Sequence, residues 1–90
     1  MKQTLVIRVT GKVQGVYFRQ NTMEKAVQLG VTGKVRNMRD GSVELTATGD
    51  LNQLQSLVQW CHEGPGRARV ENVITTAIPL QEFEKFVIER

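Results

Sequence analysis

Over residues 42–48 the chain alternates almost without fault, with Val43, Leu45 and Ala47 set between Ser42, Glu44, Thr46 and Thr48. A period of two is the mark of a half-buried strand, because successive side chains leave opposite faces of the backbone. Just before it stands Asp40-Gly41, a dipeptide suited to the tight turn of a hairpin. Residues 31–38 read as the partner strand. A hairpin with one apolar face needs other elements to cover that face, and the rest of the chain supplies them.

Residues 4–10 alternate Leu5, Ile7 and Val9 with Thr4, Val6, Arg8 and Thr10, a first strand. A loop with glycines at 11 and 15 follows. Asn21-x-x-Glu24 has the spacing of a capping box near the start of a helix, with Met23, Ala26 and Val27 as its apolar stripe and Gly30 as its stop. Asp50 and Gln53 form a second box, and Leu54, Leu57, Val58 and Cys61 share one face of the helix behind it. Gly64-Pro65-Gly66 ends that helix. Residues 70–78 read as a fourth strand closed by Pro79, and a short last strand falls around residues 83–88. The order is βαββαβ plus a terminal strand. This predicts an α+β, ferredoxin-like domain over residues 1–90, with two helices on one face of an antiparallel sheet.

Many functions use this arrangement, so composition has to narrow them. No apolar run approaches the roughly 20 residues of a membrane helix. The start, Met1-Lys2 leading into Leu5-Val6-Ile7 and broken by Arg8, has no leader pattern. One cysteine, Cys61, excludes an internal disulfide, a CxxC pair and an iron–sulfur site. A cytoplasmic protein is expected, with no metal and no cofactor. An RNA-recognition motif needs aromatic side chains on its first and third strands, and here neither has Phe, Tyr or Trp, so no nucleic-acid partner is expected. Charge is uneven. Residues 1–39 hold eight Lys and Arg against Glu24 alone, while residues 40–90 hold four against eight acids, for a net +3. That split suggests a cationic region open to an anionic ligand.

The segment Gly11-Lys12-Val13-Gln14-Gly15-Val16-Tyr17-Phe18-Arg19 joins a strand to a helix. Glycines allow positive φ, so that successive N–H groups can converge, and a helix N-terminus adds free N–H groups and a positive dipole end. Arg19 at such an end is disfavoured by about 0.3–1 kcal/mol unless an anion sits nearby. Spacing alone leaves two readings open, an anion site or a glycine-rich turn with a solvated arginine. A Walker loop would need Gly-Lys-Ser/Thr, but Gly15 precedes Val16. A Cys-x5-Arg phosphatase loop would place its nucleophile where Val13 stands.

These residues resemble the acylphosphatases. Gly11 with Val13-Gln14-Gly15-Val16-Tyr17-Phe18-Arg19 is similar to that family's phosphate-loop signature. Gly33-Lys34-Val35-Arg36-Asn37, Gly41-Ser42-Val43 and Gly49 follow its second motif, with Lys34 where the family usually has an aromatic. Gly64-Pro65-Gly66-Arg67-Ala68-Arg69-Val70 and Phe86-Val87-Ile88-Glu89-Arg90 are similar to later segments, so the resemblance spans essentially the whole chain. It implies metal-independent hydrolysis of acyl phosphates to a carboxylate and inorganic phosphate by direct attack of water. The phosphate would be held by Gln14, Gly15, Val16, Tyr17, Phe18 and Arg19, and the water oriented by Asn37.

The expected partners are a small acyl phosphate and product-like phosphate or sulfate, with the protein a monomer. Similar domains also occur inside larger carbamoyl-phosphate-handling maturation proteins, and the length here suggests the free-standing form. A phosphate-binding module without turnover is the alternative. From the residues alone, the favoured role of Asn37 is to bond the backbone of the hairpin turn, and only the resemblance reverses that preference. Cys61 reads as a small buried hydrophobe, Trp60 as packing, and His62 as a surface or helix-end residue, while Lys12 reads equally as a solvated lysine or as adding to the positive potential around the loop.

Overall fold

The computed structural model describes residues 1–89, so Arg90 of the terminal motif lies outside the described residues. The elements run β1 (Gln3–Lys12), α1 (Phe18–Leu29), β2 (Thr32–Asn37), β3 (Val43–Gly49), α2 (Leu51–Glu63), β4 (Arg69–Ile78) and β5 (Phe86–Ile88). They form one five-stranded sheet in the order β4-β1-β3-β2-β5. β3 lies between β1 and β2, and β1 between β3 and β4, which is the split βαβ arrangement the periodicities predict. Four strands pair antiparallel, whereas β5 joins β2 in parallel, so the sheet is mixed at that edge.

β5 is also shorter than expected. The chain leaves β4 at one edge and has to reach the other, so the residues after Pro79 cross the ends of β1 and β3. Thr4 and Thr48, buried and paired opposite each other, hold that crossing. The Gln81 N–H donates to Thr4 Oγ1 at 2.9 Å, and the Thr48 hydroxyl donates to the Gln81 carbonyl at 2.7 Å.

The core lies between the sheet and the helices. Ile7, Val9, Val35, Leu45 and Ala47 meet Phe18 and Ala26 of α1 and Leu54, Leu57 and Cys61 of α2. The second helix is as read, with Asp50 accepting from the Gln53 N–H at 2.8 Å and Gln53 Oε1 accepting from the Asp50 N–H at 2.9 Å. The first is not. It begins at Phe18, so Asn21 and Glu24 lie inside it: Asn21 Nδ2 donates back to the Tyr17 carbonyl, and Glu24 accepts from Gln20 Nε2. Its buried positions are Phe18, Thr22 and Ala26, and Val27 is 62% exposed. Gly30 stops it as expected, with a left-handed φ of 79° and the Val31 N–H returning to the Ala26 carbonyl.

On the sheet face away from the helices, Glu44 of β3 stands opposite Arg8 on one side and Arg36 on the other. It pairs with both, at 3.0 and 3.1 Å, while Glu89 pairs with Arg36 and with Lys34 at 3.4 and 3.3 Å. Burial pushes the Glu44 carboxyl up, but hydrogen bonds and charge from Arg8 and Arg36 outweigh it and hold it below its ordinary value. Three of the N-terminal cations are therefore engaged there by two carboxylates. The sequence split into basic and acidic halves does not become one cationic surface, because strand pairing sets bases of β1 and β2 against acids of β3 and the β5 end. Lys34, in place of an aromatic, belongs to this ladder.

Candidate active site

The register of β1 against β4 slips between Thr10 and Gly11, a bulge at the strand end. Gly11 has φ 122° and lies so close to the Arg69 carbonyl that a β-carbon would clash with it. The chain then curls through residues 13–17. Val13, Val16 and Phe18 are buried, while Gly15 and Tyr17 between them are exposed and both left-handed, at φ 74° and 61°. Open space surrounds Gly15, so backbone conformation rather than crowding asks for glycine there. Tyr17 is 80% exposed and gains little burial to offset a conformation that costs about 1–2 kcal/mol.

Tyr17 is the residue before α1, and no side chain caps the helix, nor does an acidic residue lie in its first turn. Among the described residues, the main-chain N–H groups of residues 14–20 donate to no protein acceptor. A curled run of open N–H groups leading into the positive end of a helix is an anion receptor. Phe18 locks the start of the helix by packing on Trp60 of α2, with ring centroids 5.6 Å apart and planes inclined at 53°. Arg19 follows directly and is among the residues that line the cleft the loop borders.

That cleft has a volume of about 450 Å³, and its lining includes Gly15, Tyr17, Phe18, Arg19 and Asn37. Asn37 arrives from β2, whose parallel neighbour β5 contributes Ile88 to the same wall. Val13 and Gln20 complete the lining. Ile88 belongs to the terminal segment that resembles the family but was given no site role in the sequence, because it reaches the cleft only through the pairing of β2 with β5. Val16 is turned into the core and offers only its main chain.

The side chain of Gln14 does not line the cleft. Its side-chain Nε2 donates to the Met38 carbonyl at 2.8 Å and the Ser42 carbonyl at 2.9 Å, both in the turn after Asn37. Asp40 closes the same turn, accepting from the Ser42 N–H at 2.9 Å and the Ser42 hydroxyl at 2.6 Å. Those bonds hold the Asp40 carboxyl below its ordinary value. The Asn37 side chain takes no part in the turn, so the structural role open to it in the sequence is filled by Asp40 and Gln14.

The remaining candidates stay outside. Cys61 is fully buried, and burial pushes its thiol up to about 12, which leaves it unreactive. His62 is exposed in the last turn of α2, and Lys12 is exposed at the end of β1. Among the described residues, no helix is long and apolar enough to cross a membrane.

Fold and cleft together define a ferredoxin-like domain in which an arginine and an asparagine line one cleft beside an uncapped helix start. The acylphosphatase family profile matches residues 5–88. An acylphosphatase of Marinobacter nauticus is 54% identical over 79 residues, covering 87% of this chain and 86% of that protein. Solved structures agree. The acylphosphatase of Bacillus subtilis superposes with a TM-score of 0.95 at 34% identity over the whole of both chains. The acylphosphatase of Coxiella burnetii does so with a TM-score of 0.95 at 38% identity, over 98% of this chain and 93% of the other. The chain belongs to the acylphosphatase family, a class of hydrolases.

Proposed function

We propose that the chain hydrolyses acyl phosphates to a carboxylate and inorganic phosphate, with water attacking phosphorus in line and no metal taking part. The observation that carries this reading is the shared cleft: Arg19 and Asn37, on different elements, border the same space as the curled loop. A carboxylate leaves readily because its conjugate acid has a pKa near 4, so no general acid is needed. The task is to grip the phosphoryl group, balance its charge and aim the water. Main-chain N–H groups of Gln14, Gly15, Val16, Tyr17, Phe18 and Arg19 supply the grip, and the Arg19 guanidinium adds a planar fork for two oxygens. Asn37 has both a donor and an acceptor, which fixes a water's orientation without making it a base. The loop carries no nucleophile, which favours direct attack over a phosphoenzyme. The reading includes a cytoplasmic monomer of one domain, residues 1–90, with a small-molecule substrate, phosphate or sulfate as product-like ligands, and no nucleic acid.

Benzoyl phosphate hydrolysis followed by absorbance tests it. Activity is expected to persist in EDTA. Asn37→Ala is expected to lose about 10²-fold in kcat while inhibition by inorganic phosphate stays within about threefold, since an interaction made only in the transition state leaves ground-state binding alone. An Asn37→Ala protein as fast as the parent would remove the water-orienting role. A parent with no turnover would leave a phosphate-binding module.

A further inference from the structure

We infer that Gln14 is a positioning residue whose side chain sets Asn37 in register with the phosphate loop; the inference rests on the role proposed for Asn37. The cleft has two halves from different parts of the chain. The loop follows β1, and Asn37 ends β2, one residue before the hairpin turn. Among the described residues, the two hydrogen bonds from Gln14 Nε2, to the carbonyls of Met38 and Ser42, are the only ones joining this loop to that turn. Two carbonyl acceptors also fix the orientation of the amide, because only its nitrogen can donate.

The turn does not need Gln14 to close. The Met38 carbonyl already accepts from the Gly41 N–H at 3.2 Å, and the Ser42 carbonyl from the Met38 N–H at 2.8 Å. What the side chain adds is a tie between the halves. A water-orienting amide is useful only if it stays in line with a phosphoryl group held by other residues, and a displacement of about 1 Å at such a site can cost roughly 10²-fold in rate. Gln14 thus acts twice, through its main-chain N–H in the loop and through its side chain on the turn beside Asn37. Only the second action is new.

A double-mutant cycle on the intact chain tests this, with Gln14→Leu removing the donors and Gln14→Glu keeping the length but repelling the carbonyls. Each is expected to lower kcat about 10-fold or more, while inhibition by inorganic phosphate changes by less than about threefold. In an Asn37→Ala background, either change is expected to cost less than about twofold further, because the residue it positions is gone. Thermal melting identifies a variant unfolded at assay temperature, and the other substitution then carries the test. Parental kcat in the folded Gln14 variants overturns the inference. So does a loss that multiplies with that of Asn37→Ala, or one matched by weaker phosphate inhibition. If Asn37→Ala alone keeps parental kcat, the water-orienting role and this inference fall together; if it is impaired and Gln14 still multiplies, only the inference falls.

Discussion

The two helices begin in opposite ways. α2 opens on Asp50, which accepts from the Gln53 N–H while Gln53 reaches back to the Asp50 N–H, so the first turn is sealed by its own side chains. α1 opens on Tyr17 in a left-handed conformation, with no side-chain cap and with Arg19 in its first turn. By the rules that stabilise isolated helices, the second start is good and the first is poor. Both pack on the same sheet and share one core. The difference lies in what each start faces: α2 faces solvent, while α1 faces the cleft. Unsatisfied N–H groups and a cation with no counter-charge among the described residues are defects at a sealed end and would be assets at an end that receives an anion.

Arg19→Ala should have the largest effect. Removing a charge-stabilising arginine from phosphoryl transfer typically costs 10³-fold or more, so kcat/KM for benzoyl phosphate is expected to fall by roughly 10³-fold. Inorganic phosphate should inhibit more weakly in parallel, which separates this residue from Asn37. Without its cation the first turn of α1 no longer opposes the helix dipole, so the variant should melt no lower than the parent. A variant that loses activity only by unfolding would contradict the idea that Arg19 serves the ligand at the expense of the helix.

Asp50→Ala does the converse and opens α2. Loss of an N-cap is expected to cost about 1 kcal/mol, or a melting temperature lower by roughly 4–8 °C in a domain of this size. Turnover per folded molecule should be unchanged. Calorimetry should still show one phosphate site rather than two, because open N–H groups at a helix start are not enough without the curled loop before them. A second site on the Asp50→Ala protein would break the comparison.

How much of this could be read from the sequence follows the same division. α2 was legible because its signals are local: the box at Asp50 and Gln53, and the face of Leu54, Leu57 and Cys61, depend only on neighbours along the chain. The alternation of Val43, Leu45 and Ala47 was legible for the same reason. α1 misled, since Asn21 and Glu24 have capping spacing but Phe18, buried on Trp60, starts the helix earlier. Tertiary packing overrode a local preference at the site, where local rules are most often broken. Arg19 and Asn37 were assigned to the site through motif resemblance, whereas Ile88 and the bonds from Gln14 to the turn depend on sheet pairing that no spacing encodes. The ion-pair ladder around Glu44 was hidden likewise, because it exists only once β1, β2 and β3 are in register.

The smallest expected effect sharpens the contrast within α1 itself. Thr22 is fully buried on the core face of the helix, one turn beyond Phe18, and its hydroxyl has no partner among the described residues. A buried hydroxyl left unbonded costs about 1–3 kcal/mol relative to one that is satisfied, and valine has nearly the same shape without that group. Valine and threonine have nearly equal helix propensities, so propensity takes nothing away and the gain for Thr22→Val is expected at the low end of that range, about 1 kcal/mol. The melting temperature should rise by a few degrees, measured beside the fall for Asp50→Ala. If Thr22→Val destabilises the fold instead, the hydroxyl has a partner, such as a buried water, that holds α1 in place. The weakness of α1 would then be confined to its open first turn rather than shared with the core face behind it.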